Sequence, residues 1–146
     1  MITVSIEVVD DQLPINGQAV KQLATKVLIE GGQSEGDLTI IFTHDELMRQ
    51  MKITYFDQDV YTDVLSFRLD EETEPFEGEI YISPARAQEN AGKIDEAVSR
   101  ELARLVCHGC LHLLGHEDDS ETGKSAMRVD EDRHLEEFQP ELILNR

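Results

Sequence analysis

Residues 107–119 read CHGCLHLLGHEDD. The apolar residues leading into them, Ile94, Ala97, Val98, Leu102, Leu105 and Val106, recur at helical spacing. They predict a long helix that opens at Asp95 and runs to about Leu114, where Gly115 stops it. His108 and His112 are four residues apart, so a helix presents both imidazoles on one face, one turn from each other. Two nitrogens so placed can share one metal ion at about 2.0–2.1 Å each. His116 follows four residues later. On a straight helix it would stand about 12 Å from His108 along the axis, too far for one ion to bridge. A glycine at 115 can take the left-handed conformation, end the helix and turn the chain back. The residue that then returns to the metal is one of Asp118, Asp119 and His116. Two histidines on an otherwise apolar helix can also be core residues satisfied by hydrogen bonds; the glycine and the acids beyond it favour a metal.

Outward from this helix, residues 2–9, ITVSIEVV, alternate apolar and polar and are rich in branched side chains, which predicts a strand. Val20, Leu23, Ala24, Val27 and Leu28 recur at helical spacing from Gly17 to about Glu30, ahead of Gly31-Gly32. Residues 37–43, DLTIIFT, read as a second strand. Thr43 with Glu46 suggests a capping box opening a helix whose apolar positions include Leu47, Met48 and Met51. Residues 62–69, TDVLSFRL, and 78–83, GEIYIS, read as two strands of a hairpin across the acidic link 70–77, DEETEPFE. Pro84 suits the first turn of a short helix that Gly92 and Lys93 break. A last helix runs roughly from Thr122 to Phe138 and ends before Pro140. With no repeat or linker, residues 1–146 read as a single domain. The expected fold class is α+β, a mixed four-stranded sheet packed with helices, with the metal site at the end of a long central helix.

The chain has 146 residues, long enough to bury a core without covalent staples. Neither a basic start nor a membrane-length apolar run is present, so the default location is the cytoplasm. The net charge is −18, from 13 basic and 31 acidic residues, which taken alone argues against non-specific nucleic-acid binding. A local basic patch can still coexist with an acidic whole. Cys107 and Cys110 have the C-x-x-C spacing of redox motifs. That motif usually opens a helix after a strand, whereas here the pair lies inside one, so two small buried residues are expected.

The spacing H-x-x-x-H-x-x-G-x-x-D over 108, 112, 115 and 118 echoes the extended zinc-protease pattern, in which a glycine turn precedes the third ligand. His2Asp is an acceptable catalytic zinc set with a fourth position for water, whose pKa the metal would lower toward 7. The zinc proteases place their general-base Glu directly after the first His; here that residue is Gly109.

These residues closely resemble the YbeY family, bacterial endoribonucleases also called rRNA maturation factors. The family signature H-G-x-L-H-L-x-G-Y-D-H is matched by His108, Gly109, Leu111, His112, Leu113 and Gly115, with His116, Glu117 and Asp118 in place of its last three residues. Upstream, Thr62-Asp63-Val64-Leu65-Ser66-Phe67 matches the family's T-[DN]-V-L-S-F strand, and Gly78-Glu79-Ile80-Tyr81-Ile82-Ser83 its G-[DE]-I-x-I-S strand. The resemblance implies an α+β fold and one Zn2+ or similar divalent metal per chain on His108, His112 and Asp118. It also implies cleavage of single-stranded RNA in ribosomal RNA maturation and ribosome quality control, with rRNA and the small ribosomal subunit as partners. The Asp at 118 keeps a ligand atom but, being anionic and harder, would make the metal a somewhat weaker Lewis acid. Many members carry a phosphate-suited arginine where this chain has Phe56; Arg49, Lys52, Arg68, Arg86, Arg100 and Arg104 could supply charge or simply face solvent. No general acid or base is identified, although Glu117 and Asp119 lie close in sequence. The competing readings are a metal-dependent hydrolase of another substrate and a non-catalytic ribosome-assembly factor with a structural metal.

Overall fold

The protein is described by a computed structural model over residues 1–71 and 74–145. Its elements follow in the order β1 (Ile2–Val8), α1 (Gly17–Glu30), β2 (Gly36–Phe42), α2 (Asp45–Phe56), β3 (Val64–Arg68), β4 (Phe76–Ile82), α3 (Pro84–Lys93), α4 (Val98–Leu113), α5 (Glu121–Glu137) and a 3-10 turn at Pro140–Ile143. The strands lie in the order β1-β2-β4-β3. β1, β2 and β4 run parallel, and β3 pairs antiparallel with β4. This is the mixed four-stranded α+β arrangement expected from the sequence, hairpin partners included. Part of the acidic link between those partners, residues 72 and 73, lies outside the described residues. Among the described residues, no helix is long and apolar enough to cross a membrane.

The core forms where α1 and α4 meet the sheet. α1 buries Val20, Leu23, Ala24, Val27 and Leu28, the residues its periodicity selects. α4 is buried along nearly its whole length, through Leu102, Ala103, Val106, Cys107 and Cys110. It contacts α1, α3, α5 and both strands of the hairpin. Such a close approach to the sheet depends on Gly109. A Cβ there would lie 2.8 Å from Ile80 Cγ2 and 3.2 Å from Ser66 Oγ, and the Ser66 hydroxyl donates to the Gly109 carbonyl at 3.1 Å. Position 109 therefore faces the sheet, and a longer side chain has no room.

Four boundaries differ from the sequence reading. α2 is preceded by His44, with no side-chain cap; Thr43 is fully buried and its Oγ1 has no hydrogen-bond partner, so the capping box does not form. β4 begins at Phe76, inside the acidic link, because that ring is buried and pairs in register with Gly36. α3 continues through Gly92 and Lys93. α4 begins at Val98 rather than Asp95, which adopts a left-handed φ of 53° in the turn between helices, a conformation short polar residues tolerate. Ile94, counted toward the helical pattern, is exposed.

Candidate metal centre

The end of α4 sets the geometry. Gly115 has φ +99°. The His116 amide donates to the Leu111 carbonyl and the Gly115 amide to the His112 carbonyl, both at 3.0 Å. This pair of bonds is the Schellman arrangement that closes a helix on a left-handed glycine. Arg68 of β3 adds a bond from Nη1 to the Leu113 carbonyl at 2.8 Å. The chain then reverses, and Asp118 comes back over the two histidines.

His108 Nε2 stands 3.3 Å from Asp118 Oδ2, and His112 Nε2 stands 3.5 Å from Asp118 Oδ1. The two rings meet edge to face with centroids 4.6 Å apart. One ligand atom from each of the three residues fits within 4.8 Å of the others. Tetrahedral bonds of about 2.0–2.1 Å place ligand atoms about 3.3–3.4 Å apart, so these donors suit a small divalent ion. The side chains of His112 and Asp118 are about one-third exposed, at 34% and 38%, so the cluster is open on one side.

Behind the triad, Glu131 of α5 is buried and takes His108 Nδ1 at 2.7 Å. Arg104 Nη1 holds the other oxygen of Glu131 at 3.2 Å and Asp132 at 3.1 Å. Nδ1 is thereby occupied and Nε2 faces Asp118, the orientation a metal-ligating histidine takes. Burial opposes protonation of His108, but the hydrogen bond and charge of Glu131, helped by Asp118, outweigh it and raise the pKa above the ordinary histidine value. Burial pushes the Glu101 carboxyl up, against a hydrogen bond from Asn90.

Of the sequence candidates, His108, His112 and Asp118 come together. His116 turns away, with Nδ1 3.6 Å from Asp130 Oδ2 on α5, and Glu117 and Asp119 are exposed in the loop. Cys107 and Cys110 are free and buried; burial lifts the Cys107 thiol to about 12 and Cys110 well above its usual value, so neither is a reactive thiolate. The cations weighed as replacements for an arginine at position 56 are engaged elsewhere. Arg49 pairs with Glu46, Arg68 with Asp70, Arg86 with Asp45, Arg100 with Glu96 and Arg104 with Glu131. Lys52 lies on the Phe56 ring, 4.7 Å from its centroid. Sequence reasoning missed Glu131 and Arg104 as partners of the site, because their role depends on how α5 docks on α4. It also missed Lys124 and Arg128, which line a cleft of about 690 Å³ beside His108 and Asp118.

Fold and site together define an α+β protein in which a buried, sheet-backed helix carries a histidine pair closed by a carboxylate from beyond a glycine turn. A sequence model of the family described as endoribonuclease YbeY matches residues 5–139, and the chain belongs to that family. A Flavobacterium johnsoniae protein named endoribonuclease YbeY is 31% identical over 126 residues, covering 86% of this chain and 90% of its own. A Salinibacter ruber protein of the same name is 36% identical over 117 residues, covering 75% and 74%. The fold is shared with a Thermotoga maritima protein solved in solution, at a TM-score of 0.60 and 23% identity over 94% of this chain and 91% of that one.

Proposed function

We propose that this protein is a metal-dependent endoribonuclease that cuts single-stranded RNA during ribosomal RNA maturation and ribosome quality control. In this reading it works in the cytoplasm as one domain, with the small ribosomal subunit as partner and one zinc-type ion on His108, His112 and Asp118. Family membership supports the RNA substrate. The observation that carries the metal is the convergence of three ligand atoms while Glu131 takes the far nitrogen of His108. Bound there, the ion would act as a Lewis acid toward a phosphoryl oxygen and lower the pKa of a coordinated water. The chain's own contribution is orientation. Glu131 fixes the His108 ring, Arg104 balances the Glu131 charge, and Asp118 faces both histidines through different oxygens. The partly exposed triad favours an enzyme over a structural metal, whose coordination would be closed.

The test is to incubate zinc-loaded protein with single-stranded and double-stranded RNA, with and without chelator, alongside His112→Ala. Cleavage is expected on the single strand only, abolished by chelator and by His112→Ala with circular dichroism unchanged. Cleavage surviving both would belong to a contaminating nuclease. Absence of cleavage with any metal, together with retained subunit binding, would replace this reading with the assembly-factor one.

A further inference from the structure

In a chain of net charge −18, most of the described Lys and Arg side chains pair with a carboxylate. Among the described residues, four Lys or Arg side chains lack one within ion-pair distance: Lys21, Lys52, Lys124 and Arg128. Lys21 sits on α1, away from the triad, and Lys52 is occupied by the Phe56 ring. The other two are four residues apart on α5, hence on one helix face. Both line the cleft that His108 and Asp118 also line.

The acids of that cleft already have partners. Asp63 accepts from Asn90 Nδ2 at 2.9 Å and Glu101 from the same amide at 3.2 Å. Glu131 is held by Arg104 and His108, and Asp118 faces the two histidines. Among the described residues of the lining, Lys124 and Arg128 are the cations without a carboxylate within ion-pair distance. A free cation pair is poorly explained by folding stability, since a carboxylate partner is the rule for bases elsewhere in this chain. It is well suited to an anionic ligand, and a guanidinium can grip two oxygens of a phosphate at once.

We infer that Lys124 and Arg128 bind the backbone phosphate of the RNA strand in the cleft beside the triad. The inference rests on the endoribonuclease reading for the identity of the strand, but the anion site itself does not. These two residues supply the local positive charge that an acidic protein needs in order to hold a polyanion.

The experiment compares zinc-loaded wild type with Lys124→Ala, Arg128→Ala, Arg128→Lys and the control Lys21→Ala. For each, bound zinc is measured, and KM and kcat for a single-stranded RNA are followed over a range of salt. In parallel, inorganic phosphate is titrated into 15N-labelled protein while the Arg128 side-chain Nε–H resonance is observed. Each alanine variant at 124 or 128 is expected to raise KM about tenfold, in line with one lost charge-assisted hydrogen bond, with zinc content unchanged. Each should also lower the salt slope by about one. Arg128→Lys should recover part of the loss, Lys21→Ala should match wild type, and phosphate should shift the Arg128 resonance. Wild-type KM and salt slope in both alanine variants would overturn the inference while leaving the endoribonuclease reading intact. If wild type cuts no RNA, that reading fails. The anion site then stands if phosphate still moves the Arg128 resonance, and falls with it if phosphate does not.

Discussion

Both ring nitrogens of His108 have a role: Nδ1 meets Glu131 and Nε2 meets Asp118. This makes the site sensitive to single atoms. His108→Ala and His112→Ala should each abolish stoichiometric metal binding with the fold retained, measured by elemental analysis and circular dichroism. Equal occupancy in both variants and wild type would end the metal assignment. Asp118→Ala should lose zinc affinity strongly and His116→Ala little, because His116 faces Asp130 instead of the triad; the reverse result would move the third ligand to His116. Glu131→Gln keeps the shape but removes the charge that orients and polarises His108. Loss of such a partner typically costs about 10–100-fold in metal affinity, readable by competition with a chromogenic chelator. Gly109 belongs at this scale too. The missing Glu of the zinc-protease pattern reflects direction as well as chemistry, since position 109 points at Ile80 and Ser66, so a carboxylate there would meet the sheet and not the metal.

At the scale of elements, two glycines of α4 and its end act through different physics. Gly109 is a packing requirement, with Ile80 Cγ2 2.8 Å from where a Cβ would stand. Gly115 has nothing within 4 Å of its Cβ position but a φ of +99°. Gly109→Ala should therefore destabilise by overpacking, about 1–3 kcal/mol. Gly115→Ala should cost a similar amount, about 1–3 kcal/mol, through backbone strain alone. Urea denaturation measures both. Their metal affinities should separate them: Gly115→Ala disturbs the turn that returns Asp118 and should weaken zinc binding, whereas a folded Gly109→Ala keeps the triad. The turn was legible in the sequence because glycine before a run of acids is a local signal. The start of α4 was not, because Ile94 continues the apolar rhythm although it ends up exposed, and periodicity cannot distinguish a buried position from an exposed one.

At the scale of the molecule, α5 docks onto α1 through a buried histidine. His134 is almost fully buried, with Lys26 Nζ 3.3 Å from its Nδ1. Burial, then the charges of Lys26 and Arg133, lower its pKa below the ordinary 6.5. The unfolded chain therefore binds a proton first as pH falls. The stability is fully present above the unfolded value and is lost as pH drops through it toward the folded one. Unfolding free energy should fall between about pH 7.5 and pH 5.5, and His134→Gln, which keeps an acceptor without a titrating ring, should fall less. His108 titrates in the opposite direction, so the difference between the two proteins, both measured metal-free, isolates His134. Equal slopes would show that His134 does not carry the effect.

What the sequence by itself determined is local. It contained the α+β class, the antiparallel hairpin, the core face of α1, and the histidine pair with its glycine turn and returning carboxylate. Each of these depends on spacing within a few residues, where helix pitch, strand alternation and glycine's freedom act directly. Tertiary structure decided everything that required two distant segments to meet. It set Glu131 against His108 and Arg104 across 23 and 27 residues of chain, and turned His116 toward α5. Among the described residues it also bound most bases to carboxylates and left Lys124 and Arg128 without one in the cleft. A charge has a local identity, but its partner is chosen by packing, and in a chain this acidic only the folded arrangement reveals which few cations remain free.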